Sequence, residues 1–253
     1  MGGGPQMQMS IPMTPMVKRL IIINVAIWLL AVMILQKIFL SEPYIFQYFG
    51  LIPDSFLFDF YLWQPFTYMF LHSNSFFHIL FNMLVVWMFG SELEARWGSR
   101  FFLIYYLVSG IGAAIIYIVC SFVYYLFTND INPLLAPVIG ASGATFGLIL
   151  AYGMIFSERM VLFMFIFPMK AKYFALLLGV IELMTLLDSG FGSKVANLAH
   201  LGGVISGFLF LYFYTRWKHN KTTNKSYRHG RRLKLVVDNE AQDKDKKGPR
   251  YWN

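Results

Sequence analysis

Charge is what this 253-residue chain has least of. Only 13% of its residues are Asp, Glu, Lys or Arg, against about 25% in a soluble domain. That excludes a conventional water-facing surface, and the 57% hydrophobic and 19% aromatic content points to a polytopic membrane protein with one principal domain. The single cysteine, Cys120, lies in an apolar run, so no disulfide framework can form and the thiol reads as a small core residue. Residues 1–16 carry no basic side chain, which excludes an Arg-rich transit peptide. Gln6 stands where a myristoylation motif needs Ser or Thr. The first hydrophobic run offers no small-residue cleavage site and is read as a retained helix.

The +8 net charge is confined to one end. Residues 216–253 hold 12 Lys/Arg and 4 Asp/Glu, whereas residues 1–215 hold 9 of each sign. This divides the chain into an N-terminal segment (1–17), a membrane domain (18–215) and a basic tail (216–253). A basic tail can bind nucleic acid. Attached to a membrane body, it instead fits anionic lipid, at about 1 kcal/mol per basic residue near the surface, and no nucleic acid is expected.

A span needs about 20 apolar residues. Six candidates start or end near Leu20–Leu40, Ser75–Glu92, Phe101–Phe127, Ser142–Phe156, Ala171–Leu187 and Val195–Tyr214. Val161 to Pro168 is expected to extend the fifth or lie at the interface. Lys18 and Arg19, Arg96 and Arg100, Arg159, Lys170 and Lys172, and the tail all fall on one side, leaving only Lys37 and Lys194 on the other. The positive-inside rule then puts both termini in the cytoplasm. Spans two, four and six enter from the outer side, and each carries its polar residues near that end: His78 and Asn82, Ser142, and His200. The fourth, at 15 residues, is about 22 Å long as a helix and is expected to be submerged, with Asn132–Gly140 dipping in to meet it. Irregular backbone at that depth must be buried in protein or line a cavity.

Ionisable groups at membrane depth read as functional by default. Ser142 in Gly140-Ala141-Ser142-Gly143-Ala144 stands at a helix N-terminus, where free N–H groups and the helix dipole suit an oxyanion. The same small residues also suit plain helix packing. His200, in Ala199-His200-Leu201-Gly202-Gly203, suits a general base but equally a buried imidazole bonded to a carbonyl. Gly203 and Gly207 mark the helix face where a neighbour can come close. His78 and Asn82 are four apart on one face, either donors to an oxyanion or interhelical glue. A metal site from His72, His78 and His200 is disfavoured because no acidic or thiol ligand accompanies them. Glu182 is the one acid well inside a span. It could orient His200 as a third member of a triad, but is read as structural.

Together these residues resemble the rhomboid family of intramembrane serine proteases. The resemblance covers residues 60–215 and rests on Trp63-Gln64, Thr67, Phe70-Leu71-His72, His78 to Asn82, Glu94 to Gly98, Gly140 to Gly143, and Ala199 to Gly203 ending at Gly207. It implies an all-α bundle of six transmembrane helices with a short submerged fourth helix. It implies a Ser142–His200 dyad without a catalytic acid, and His78, Asn82 and the Ser142 N–H around the oxyanion. Gly140, Gly143, Phe146, Gly203 and Gly207 support the site. No cofactor or metal is implied. The resemblance implies transmembrane protein substrates cut in or near their spans, and the expected location is a bacterial cytoplasmic membrane. Gln64 departs from the family's frequent Arg. Phe146 stands where some members stack Tyr on the catalytic His, and a phenyl ring is expected to stack as well. The main rival is a silent relative that binds or escorts membrane proteins, although such relatives typically lack the nucleophile or the base. A transporter is disfavoured, since no inverted repeat is evident and the polar groups lie in the outer third.

Overall fold

Residues 12–163, 166–189 and 195–228 are described in a computed structural model. Residues 1–11 and 229–253, hence much of the basic tail, lie outside it, as does Lys194. The chain up to Phe213 forms one compact unit and the residues from Tyr214 form a second.

The first long helix begins at Pro15, a good first-turn residue because its missing N–H costs nothing there. It runs as α1 (Pro15–Ile27) and continues π-wound over Trp28–Phe39. Three short helices follow: α2 (Tyr44–Phe49), α3 (Pro53–Leu57) and α4 (Gln64–Thr67), with a 3-10 turn at Tyr68–Phe70. Next come α5 (Phe76–Trp97) and α6 (Ser99–Thr128), separated by Gly98 at φ +80. After α7 (Asn132–Leu135) comes α8 (Ser142–Ile155), then strands β1 (Met160–Phe163) and β2 (Phe167–Lys170). The last two helices are α9 (Ala171–Ser189) and α10 (Val195–Arg228).

Four helices among the described residues are long and apolar enough to cross a membrane: Pro15–Phe39, Phe76–Trp97, Ser99–Thr128 and Ala196–Lys221. At 14 residues, α8 is apolar but shorter. Along its 19 residues α9 carries three charges, Lys172, Glu182 and Asp188, which keep it from that group. Of the two expectations for Val161–Pro168, extension of the fifth span needs correcting, because the segment does not continue α9 as a helix. It folds into an antiparallel hairpin pairing Met160 with Lys170 through Phe163 with Phe167. Pro168 disfavours helical backbone just before it, while the β-branched and aromatic residues suit a strand. The hairpin's base is pinned by an Arg159–Glu92 ion pair at 2.9 Å. Beside it, Lys170 and Lys172 hold the exposed Glu158 carboxyl down to about 2.

In the core, α6 lines up Phe102, Tyr105, Tyr106 and Tyr117, all fully buried. In lipid, helices associate through close packing rather than hydrophobic exclusion, and small residues provide it here. Gly147 of α8 lies against Ser109 of α6, Gly202 of α10 against Ala113, and Gly112 against Ser206. Several backbone groups of the irregular stretch before α8 find partners in the elements around it. The Tyr117 hydroxyl donates to the carbonyls of Pro133 (2.9 Å) and Ala136 (3.0 Å). Leu51 and Val138 exchange both backbone bonds at 2.9 Å. Gln64, the departure from Arg, is fully buried. Its amide accepts from Ile52 N at 3.0 Å and donates to Gln47 O at 3.1 Å, a fork that ties α4 back onto the segment before it.

Candidate active site

The turn into α8 is set by Gly140. Its φ of +120 favours glycine, and a Cβ there would lie 2.8 Å from His78 Nε2. Tyr68 anchors the turn from below: its carbonyl accepts from Gly140 N at 2.9 Å, and its phenol donates to Gly110 O at 2.6 Å. Burial pushes that phenol's pKa up, which keeps it a donor. Ser142 is the first residue of α8, so the N–H groups of the opening turn have no intrahelical acceptor.

His200 comes from α10. Its Nε2 lies 2.8 Å from Ser142 Oγ. Its ring stacks on Phe146, one turn along α8 from Ser142, with centroids 4.5 Å apart and planes 12° from parallel. The approach of the two helices depends on Gly203, where a Cβ would sit 1.9 Å from Gly143 O. At Gly143 a Cβ would meet Ala113 at 2.7 Å, and at Gly207 it would meet the Tyr105 hydroxyl at 2.5 Å. All four supporting glycines, Gly140 included, therefore face a close neighbour.

His78 has its other nitrogen engaged. Nδ1 accepts from Ser73 N at 3.3 Å and lies 3.1 Å from Ser73 Oγ. A backbone N–H can only donate, so Nδ1 carries the lone pair and the proton sits on Nε2, the atom beside Gly140. Ser73 is itself held, its carbonyl accepting from Trp28 Nε1 at 2.9 Å. Asn82 is buried, and its recorded bond runs from Nδ2 to His78 O at 2.9 Å, inside its own helix. His72 is fully buried with neither nitrogen in a well-formed hydrogen bond. Burial, with His78 beside it, lowers its pKa to about 3, so it is a neutral ring packed edge-on against His78 at 5.1 Å.

The sequence placed Glu182 in a structural role. In the structure its Oε1 reaches 3.2 Å from His200 Nδ1 and its Oε2 accepts from Asn197 Nδ2 at 2.5 Å. Tyr68, Ser73 and Asn197 were not anticipated at all. Only Asn197 left a sequence signal, its i, i+3 spacing from His200. A cavity of about 420 Å³ opens elsewhere, between α8, α9 and α10, walled by residues such as Leu150, Met154, Leu176 and Leu201. Neither Ser142 nor His200 lines it. No group of three His, Cys, Asp or Glu among the described residues could hold a metal ion.

Residues 59–217 match the family model for the Rhomboid domain, which is more than half of the chain, and the protein therefore belongs to the rhomboid family. It is similar to RHOMBOID-like protein 1 of Arabidopsis thaliana, 33% identical over 58% of this chain and 33% of the relative. It is also similar to Rhomboid protease GluP of Bacillus subtilis, 32% identical over 52% of this chain and 22% of the relative. Rhomboid protease AarA of Providencia stuartii is 32% identical over 62% of this chain and 57% of the relative. The chain thus spans 22% to 57% of the length of these three relatives. With its apolar helices, family membership makes it an integral membrane protein, in a family that includes named proteases.

Proposed function

We propose that this protein is an intramembrane serine endopeptidase that cuts transmembrane proteins in or near their spans through a Ser142–His200 dyad. The observation that carries the reading is the 2.8 Å approach of His200 Nε2 to Ser142 Oγ, two residues 58 positions apart in sequence. His200 takes the Ser142 proton as Oγ attacks the substrate carbonyl, and returns it to the leaving amine. Water, with its proton taken by the same imidazole, then attacks the acyl carbonyl, and the imidazolium returns that proton to the departing Ser142 Oγ. His78 Nε2–H, Asn82 and the Ser142 N–H stabilise the oxyanion. Gly140, Gly143, Gly203 and Gly207 set the backbone approach, and Phe146 fixes the imidazole plane.

The same reading gives α8 and α9 the roles of fourth and fifth membrane helices, with α8 submerged and both termini cytoplasmic. It makes residues 18–215 the membrane domain and residues 216–253 a lipid-facing tail. The test is to reconstitute the full chain in vesicles with a single-span reporter protein and to map the cut bond by product mass. The expected result is cleavage in or beside the apolar segment. Cleavage confined to the reporter's soluble domains, or none with any reporter, contradicts the proposal.

The oxyanion roles make a separate prediction. His78→Ala and Asn82→Ala each lower kcat by about 10²–10³-fold, since the contact exists mainly in the transition state, while KM changes little. If Asn82 only joins helices, its loss lowers stability by about 0.6–2 kcal/mol, read as a lower melting temperature, and leaves kcat intact. Measuring both on one preparation decides the role.

A further inference from the structure

Among the described residues, Glu182 is a largely buried polar group that the dyad chemistry leaves unused and that is aimed at the site. Its carboxylate is largely buried, 14% exposed, as is the His200 side chain at 18%. It approaches the imidazole from the side opposite Ser142, with Oε1 3.2 Å from Nδ1 while Nε2 faces the serine. Nδ1 is buried and makes no well-formed hydrogen bond, so this carboxylate is the acceptor placed for its proton. The 3.2 Å contact has the distance but not the direction of a hydrogen bond. Catalytic hydrogen bonds in the free enzyme are often poorly aligned and tighten on substrate binding. The carboxylate does not hang loose, because Asn197, three residues before His200 on α10, donates to its other oxygen at 2.5 Å. One helix thus presents both the base and a clamp on the acid that faces it.

We propose that Glu182 is a positioning residue that converts the dyad into a working triad. Resting on the dyad reading above, the proposal adds a role for α9. A carboxylate can only accept, so Glu182 keeps the proton on Nδ1 and leaves the Nε2 lone pair free for the Ser142 hydroxyl. It also lies against the positive charge that the ring acquires when it takes that proton. Ser142 and Phe146 from α8 and Glu182 from α9 all lie against the ring.

The experiment compares full-length wild type, Ser142→Ala, Glu182→Gln, Glu182→Asp and Asn197→Ala in detergent. It reads the rate of Ser142 labelling by a fluorophosphonate, kcat and KM on a fluorogenic single-span peptide, and melting temperature. Glu182→Gln is the discriminating variant. Its amide oxygen can still accept from Asn197, and its NH2 group then faces Nδ1 and favours the unproductive tautomer. We expect labelling rate and kcat to fall together by about 10- to 100-fold, less than the ~10⁴-fold of a well-aligned triad acid. KM and melting temperature should hold, and Glu182→Asp should recover part of the loss. Asn197→Ala, which frees the carboxylate without removing it, should give a smaller fall in the same two rates. It carries the test if Glu182→Gln does not fold.

Wild-type labelling and kcat in Glu182→Gln overturn the inference and leave the dyad standing. So does a loss matched by a lower melting temperature and a raised KM, the pattern of a structural residue. Wild-type protein whose labelling does not depend on Ser142 overturns the dyad itself, and this proposal with it.

Discussion

Alanine at either Ser142 or His200 should leave a folded protein with no measurable proteolysis. A nucleophile and its base act as a unit, so losing one member costs nearly as much as losing both, about 10⁶-fold in kcat in serine hydrolases. The fold has little stake in the pair. Ser142→Ala removes one partly buried hydrogen bond, a net contribution of about 1 kcal/mol. His200→Ala also forfeits the stack on Phe146, roughly another 1 kcal/mol. Cleavage of a single-span reporter and the melting temperature, measured on the same detergent preparation, check both halves. Substantial cleavage by purified Ser142→Ala removes the protease assignment.

The second large effect is a single methyl group at Gly203. Its Cβ would stand 1.9 Å from Gly143 O and 2.7 Å from Gly143 C, both backbone atoms, so no side-chain rotation relieves the clash. Either α8 and α10 separate or the turn carrying Ser142 shifts. Gly203→Ala should therefore destabilise by about 3 kcal/mol, at the upper end of overpacking costs, and should abolish activity by pulling His200 off Ser142. Gly179 on α9 provides the control, since nothing lies within 4 Å of its virtual Cβ. Gly179→Ala should change stability by at most about 1 kcal/mol. Equal melting temperatures for Gly203→Ala and wild type would show that the helices are not held in this contact.

Much of the candidate site was legible in the sequence because membrane depth makes polar residues costly. Ser142 and His200 stood out against apolar runs, and the i, i+4 spacing of His78 and Asn82 put them on one face. Helix positions followed from apolar run length, although α5 and α10 extend past the apolar runs that announce them, by five and fourteen residues. What the sequence did not disclose were contacts set by the register of one element against another. The Glu182 approach to His200 depends on how α9 is rotated and raised relative to α10, which no local pattern encodes. The Ser73 bond that fixes the His78 tautomer arises from loop geometry, as does the Tyr68 anchor of Gly140. The hairpin was missed because a short apolar run reads equally as strand or helix. Gln64 departs from the family's frequent Arg, yet its two amide atoms satisfy two backbone groups of the neighbouring segment.

The central claim is that His200 activates Ser142 as a nucleophile. The most direct measurement is fluorophosphonate labelling of the full-length protein in native membranes, with the modified residue located by peptide mass. The account predicts one adduct, on Ser142, absent from Ser142→Ala and slowed by about 10²-fold or more in His200→Ala. An adduct on another serine, or labelling of Ser142 at an undiminished rate without His200, contradicts it.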